Sequence, residues 1–381
     1  MISDHQIQLT KRQTHCYIPR FAIASEVIME STNRSNKLVA TWLLIGVAMT
    51  IVQIALGGIT RLTGSGLSIT QWDVVTGSLP PLNESQWMVE FEKYRQTPQF
   101  QLLNFDFSLQ DFKFIFFWEW FHRLWARTIG LVFAFGFIYF LVRKHFQKEM
   151  IKPLVYLFLL GALQGAIGWI MVASGLTGDA VYVKPTRLAL HFLFAIGLLC
   201  YTYWFALSLL IPSSAISYQP KARKWNLVLI LLVILQLAYG ALMAGHKAAN
   251  IAATWPTING QWIPANLVTD SFLLNAIDNK IFIHFVHRGL AYLILVFIII
   301  WTIQLYKTSG TKAYSIIRPI PALLVVLQVA LGILTVLSSS GIISGHWGFF
   351  EWMAELHQLV GMMLLLSLVT TWYLIRTRKT N

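Results

Sequence analysis

An all-α polytopic membrane protein is predicted: eight transmembrane helices arranged as two tandem four-helix bundles related by pseudo-twofold symmetry. Three observations predict it. Hydrophobic residues make up 56% of the chain and charged residues only 12%, about half the usual charged share of a soluble domain. Eight apolar runs, at about 38–60, 114–142, 153–174, 188–211, 225–245, 281–305, 319–338 and 352–375, are each near or above the ~20 residues a helix needs to cross a bilayer. A pattern of polar residues inside those runs repeats after four of them. Backbone groups in lipid must bond within their own segment, so runs this apolar form helices.

The predicted order begins with a tail, 1–37, which is polar and basic without an apolar core. It is not a secretory signal. It also contains Asp4, Glu26 and Glu30, whereas mitochondrial presequences are poor in acids, and Met29 is an alternative start. The first four-helix unit spans 38–211 and includes a long outer loop, 61–113. A linker, 212–224, leads to the second unit, 225–375, and a short tail, 376–381, ends the chain.

Orientation follows from Lys and Arg. The N-terminal tail holds five, the loops after segments two, four and six hold four, three and three, and the C-terminus holds three. The four opposite loops share eight. The positive-inside rule places both termini on the cytoplasmic or matrix side. The net charge of +13 is therefore a topology signal, and nucleic acid is not an expected partner. The two cysteines, Cys16 in the tail and Cys200 within segment four, are too far apart for a disulfide and supply no metal site.

The odd-numbered segments contain no charged residue and share Gln-x-Ala-x-Gly: Gln53 to Gly57, Gln164 to Gly168, Gln236 to Gly240 and Gln328 to Gly332. Residues four apart share a helix face, and small residues there admit another helix or a flat ligand. The even-numbered segments carry a histidine at matching positions near their outer start: His122, His191, His287 and His357. His122 and His191 are 69 positions apart, His287 and His357 70. A lone membrane histidine commonly bonds a neighbouring helix. Four in matching positions, at one depth, point instead to pairs that clamp a heme iron from both sides.

The halves differ in one respect. The first reads Glu119-Trp-Phe-His122-Arg123, the second His284-Phe-Val-His287-Arg288. Glu119 shares a face with His122 and either serves the same pocket or pairs with Arg123 one turn on. His284, at the matching position, is either a second polar group near the ring edge or a packing group. Arg123 and Arg288 could neutralise heme propionates. His5, His15, His145, His246 and His346 read as tail, turn or loop groups.

On these residues the chain resembles the heme A synthases of the mitochondrial and Gram-negative type, from about 38 to 375. The match is densest in "GGITRLTGSGLSITQWDVVTGSLPPL" (57–82), "EKY" (92–94) and "FKFIFFWEWFHR" (112–123). "TWPTINGQWIP" (254–264), "FVHRGLAY" (285–292) and "LHQLVG" (356–361) extend it. Ala126 replaces the family's usual glycine, and the paired loop cysteines of the family's other branch are missing. The resemblance implies an oxidoreductase acting on a CH group of heme O: two hydroxylations of one methyl, then loss of water, give the formyl group of heme A. It implies heme b on His287 and His357, substrate heme O on His122 and His191, and Glu119 as the catalytic residue at the reacting edge. It further implies heme O synthase as donor and a terminal oxidase as recipient, in the bacterial inner membrane or the mitochondrial inner membrane. A homo-oligomer within the lipid is compatible with it.

A bis-histidine iron leaves no open position for dioxygen, so ring oxidation followed by water addition is the simpler route, with Glu119 taking a proton or stabilising the cation. The outer loop would cap this site, with Pro80 and Pro81 rigidifying a turn. The alternative function is a diheme b-type electron-transfer protein, which needs the four histidines but not Glu119 and commonly holds hemes at two depths. A transporter built on inverted repeats is disfavoured, because four spans per unit give parallel repeats and no broken helix carries a midplane charge.

Overall fold

The computed structural model describes residues 20–71, 79–265, 267–342 and 347–375, with the backbone alone over 20–32. Cys16, His5, His15, His346, the C-terminal basic residues and positions 72–78 of the long loop motif lie outside the described residues.

Twelve α-helices are described, and no strand occurs among the described residues. Eight are long and apolar enough to span a bilayer: α1 (Arg20–Leu62), α4 (Leu109–Val142), α5 (Lys148–Ala173), α6 (Pro185–Leu210), α7 (Pro220–Gly245), α9 (Lys280–Tyr306), α11 (Ile320–Ser338) and α12 (Phe349–Leu374). Each contains or closely overlaps one predicted run; most are longer by a few residues, α1 extends well beyond its run at the N-terminal end, and α11 starts one residue later than its run. Their ends extend beyond hydrocarbon into sequence with ordinary caps. Ser108 and Asp111 form a capping box ahead of α4, and Asn279 accepts from Ile281 and Phe282 at the start of α9. α1 reaches back to Arg20, inside the segment read as a tail. α5 starts five residues before Pro153, where the predicted apolar run begins.

The short helices lie in the loops. α2 (Glu84–Arg95) and α3 (Pro98–Leu103) lie in the long segment between α1 and α4. Phe91, Tyr94 and Phe100 from these helices pack with Phe112, Ile115 and Phe116 of α4 into a separate aromatic core. α8 (Phe272–Asp278) precedes α9, and α10 (Lys312–Ile317) precedes α11, separated from it by Arg318 and Pro319.

The largest core joins α6, α7, α9, α11 and α12 around Leu199, Leu229, Ile298, Met362 and Leu365. α6 packs on α7 and α12, and α1 also touches α12, so helices from both ends of the chain meet at its centre.

Candidate functional site

Each Gln-x-Ala-x-Gly motif lies opposite one histidine. On α1, Gln53 Nε2 donates to the carbonyl of His122 at 3.2 Å. On α5, Gln164 Nε2 reaches the carbonyl of His191 at 3.1 Å and its Nδ1 at 3.2 Å. On α7, Gln236 Nε2 donates to the carbonyl of His287 at 3.0 Å and approaches its Nε2 at 3.3 Å. On α11, the main-chain carbonyl of Gln328 accepts from Nδ1 of His357 at 3.0 Å, and the Gln328 amide approaches Nε2 at 3.4 Å.

The glycine one turn on makes space for the imidazole. A Cβ on Gly57, Gly168, Gly240 or Gly332 would stand 3.4, 2.7, 3.3 or 2.9 Å from the facing histidine ring. The sequence reading gave that space to a helix or a flat ligand. The structure gives it to the histidine, and the glutamine one turn away holds the same residue.

All four histidines line one continuous cavity of about 1370 Å³, together with the four glutamines and Glu119. That is more than the roughly 300–1,000 Å³ of a pocket for one small ligand. In the second half the rings of His287 and His357 lie 6.2 Å apart at 75°. Two imidazoles bound about 2 Å from a shared metal stand about 6 Å apart, centroid to centroid. His357 donates through Nδ1, which leaves Nε2 as its lone-pair nitrogen. No group of three or more His, Cys, Asp or Glu side chains among the described residues can hold a metal ion. The donor set therefore fits an iron that brings its own equatorial ligands, as heme does.

Glu119 is 3% exposed. One oxygen accepts from Ser68 Oγ at 2.7 Å and from the Ile69 N–H at 2.9 Å. The other pairs with Arg123 at 2.5 Å. Arg123 also donates to the Ile69 carbonyl at 3.4 Å. Both alternatives drawn from the sequence are thus realised together: the carboxylate lines the cavity and pairs with Arg123. The contacts also tie the loop after α1 to α4, and Ser65, Leu67 and Ser68 in that loop are buried.

Arg288 has the corresponding task in the second half. Its guanidinium donates to the carbonyls of Ala252, Thr254 and Thr257 at 2.6, 2.8 and 3.2 Å. The arginines suggested as propionate partners are thus engaged with carbonyls of the chain's own loops. His284 is fully buried, donates from Nε2 to the Ala248 carbonyl at 2.7 Å, and is not among the cavity-lining residues. Of its two sequence readings, the packing one describes this geometry. His246 bonds the Ile277 carbonyl, and His145 bonds Ser35.

The sequence reading missed a charged cluster between the halves. Glu355 is 5% exposed, and neither carboxylate oxygen has a hydrogen-bond partner. It lies against Gly58 of α1, where any Cβ would collide with its Oε2. Arg61 of α1 is within electrostatic reach of Glu355 and Glu351, and Gln358 donates to the Ile54 carbonyl at 3.1 Å. The available signal was spacing: Glu355 stands two residues before His357, on the opposite side of a helix whose other side faces the cavity.

The model of the cytochrome oxidase assembly protein family (COX15-CtaA) matches residues 40–369. The chain belongs to this family. Among its relatives, the heme A synthase of Novosphingobium aromaticivorans is 40% identical over 352 residues, which cover 90% of this chain and 95% of the relative. That of Flavobacterium psychrophilum is 38% identical over 358 residues, 91% of this chain and 100% of the relative. That of Paracoccus denitrificans is 42% identical over 309 residues, 78% and 80% of the two chains. The family match contains all four cavity histidines and Glu119.

Proposed function

We propose that this protein is a heme A synthase: an oxidoreductase that converts the methyl group of heme O to a formyl group by two successive hydroxylations and loss of water. The observation that carries the reading is the four-fold glutamine–histidine arrangement around one cavity, with buried Glu119 three positions before His122 where the second half has His284. Membership in the cytochrome oxidase assembly family supports it, as do relatives that bear this name across most of the chain.

In this proposal His122 and His191 hold the substrate heme O, and His287 and His357 hold a resident heme b. When bound, heme b supplies one-electron redox chemistry beside the substrate. The chain's own residues do the rest. Gln53 and Gln164 position the substrate histidines. Each hydroxylation by water takes two electrons from the methyl carbon and releases two protons; Glu119 receives the protons, with its oxygens held by Ser68, Ile69 and Arg123, and the electrons would leave singly to an external one-electron oxidant. The loop after α1 limits water to what the hydroxylations use. The product serves a terminal oxidase and the substrate comes from heme O synthase. The basic-residue asymmetry supports an inner-membrane setting with both termini cytoplasmic, and the repeated spacing supports two parallel four-helix units.

Extraction of the bound pigments tests this. Protein produced together with a heme O source should yield heme A or a hydroxylated heme O, plus heme b. Recovery of heme b alone from both sites would favour a diheme electron carrier. With labelled water, oxygen-18 should appear in the formyl group; label coming only from dioxygen would overturn the role given to Glu119.

A further inference from the structure

The two sets of four spans close differently. In the second half, α7 packs on α9, α9 on α11, α11 on α12 and α12 on α7, which completes a ring. In the first half, α4 packs on α1, α1 on α6 and α6 on α5, but α4 and α5 share no comparable interface. They are also the least buried spans: 6% and 11% of their most apolar stretches are buried, against 33% for α7 and α9.

The gap leads into the cavity. Ile138 of α4 and Val155 and Phe158 of α5 line the cavity and are also 55%, 50% and 64% exposed. These exposed wall residues stand on the two helices that share no comparable interface. Three glycines keep the gap clear. Gly130 on α4 and Gly161 and Gly165 on α5 all line the cavity, and a Cβ on any of them would meet nothing within 4 Å. Aligning His122 with His287 and Gln164 with Gln328 places Leu295, Val325 and Val329 at the matching positions. Val325 is 2% exposed in the central core, and Leu295 packs against that core. The ring closes where the chain has branched aliphatic side chains and stays open where it has glycine.

We infer that heme O reaches His122 and His191 edge-on from the lipid, through the slot between α4 and α5, and that the product leaves by the same slot. The inference rests on the function proposed above. An apolar slot suits this occupant: the ring is largely hydrocarbon, and heme O carries a long isoprenoid side chain that partitions into the bilayer. The closed ring explains how the other heme remains resident in the same membrane.

The test fills the slot with the residues of the closed half. The Gly161→Val/Gly165→Val protein, reconstituted in nanodiscs, is offered heme O from liposomes, and uptake is followed by absorbance. Uptake should slow about tenfold or more, because the added side chains narrow the slot, while the heme b spectrum stays unchanged as a control for folding. Should the double variant lose heme b, Gly161→Val alone carries the test. Unchanged uptake would overturn the inference. A photoreactive side chain in place of Phe158 should capture the tetrapyrrole during uptake; capture of lipid alone would also overturn it. Because uptake is read without catalysis, the two ideas separate. Slot-dependent uptake without heme A would keep the route and refute the synthase. Heme A formation with uptake indifferent to filling would keep the synthase and refute the route.

Discussion

Alanine at Gly332 is the sharpest probe of the proposed heme sites. Its Cβ would stand 2.9 Å from Cε1 of His357 and 3.4 Å from Nδ1. Non-bonded carbons settle at about 3.5–4.0 Å, so the imidazole must retreat by roughly 0.6–1.1 Å. Retreat strains the bond from Nδ1 to the Gln328 carbonyl, now 3.0 Å, and turns Nε2 away from His287. Overpacking of this kind costs about 1–3 kcal/mol, equivalent to a loss of about 5- to 140-fold in heme affinity. The helix itself gains up to about 1 kcal/mol from replacing glycine, but that gain is common to the loaded and empty protein and cancels from binding.

Gly240→Ala provides the comparison. There the Cβ would lie 3.3 Å from His287 Cε1, and a retreat of roughly 0.2–0.7 Å suffices. Titration of heme into the two purified variants, read from the Soret band, should show the larger loss for Gly332→Ala, with the thermal midpoint of the heme-free proteins near the parent's. Equal affinities, or a larger loss at Gly240, would refute the claim that these glycines exist to seat the imidazoles.

Glu119→Gln keeps the shape of the side chain and removes its charge; heme A formation should cease while heme remains bound at His287 and His357, as read by absorbance and pigment extraction. Arg288→Ala strips the donor from three loop carbonyls, a loss of about 2–4 kcal/mol, and limited proteolysis should then cut 246–279 sooner, with Arg288→Lys only partly protective. His284→Ala should loosen the same loop at Ala248 and leave the heme spectrum intact, whereas His287→Ala should abolish that spectrum. Tyr94 lies outside the spans, and burial pushes its phenol from 10.0 up to about 12. Between those values the unfolded state has lost a proton that the folded loop retains. The stability of the α2–α3 loop should therefore be full below pH 10 and fall by up to about 2–3 kcal/mol by pH 12; protease sensitivity measured across that range should flatten in Tyr94→Phe.

The spans were legible because their evidence is additive: a score of apolar residues in a row outweighs any local ambiguity. Their ends were less so. Asn279 and Ser108 cap helices in polar sequence where hydropathy has no opinion, and α2 and α3 are held by aromatic packing on α4 rather than by their own composition. Four histidines and Glu119 could be picked out because a polar group in a long apolar run demands a partner. What the partners are could not be read along the chain. The link from Glu119 to Ser68 and Ile69 spans a loop of fifty residues, and that from Gln358 to Ile54 spans 304. The repeated glycine was noticed, but its purpose depends on a ring that lies on a different helix. Glu355 escaped notice for the same reason: its environment is Gly58, which is almost the whole sequence away.

The differences between the halves point one way. Position 119 carries a carboxylate that lines the cavity, and its counterpart His284 is turned onto a loop carbonyl. Gly130, Gly161 and Gly165 face open space, while Leu295 and Val325, at two of the matching positions, join the packed core. Neither difference implies the other: a carboxylate can be placed in a sealed ring, and a gap can open onto a site that does no chemistry. A substrate site needs both a group that handles protons and a way in, and a resident cofactor needs neither. The two features coincide on the first half, although each is set by different residues on different helices. If the assignment of substrate to the first half were reversed, the reactive carboxylate would stand beside a cofactor, the open slot would expose that cofactor to exchange, and the substrate would have to enter the closed ring. On the function proposed above, this arrangement suits chemistry and exchange at His122 and His191, with retention at His287 and His357.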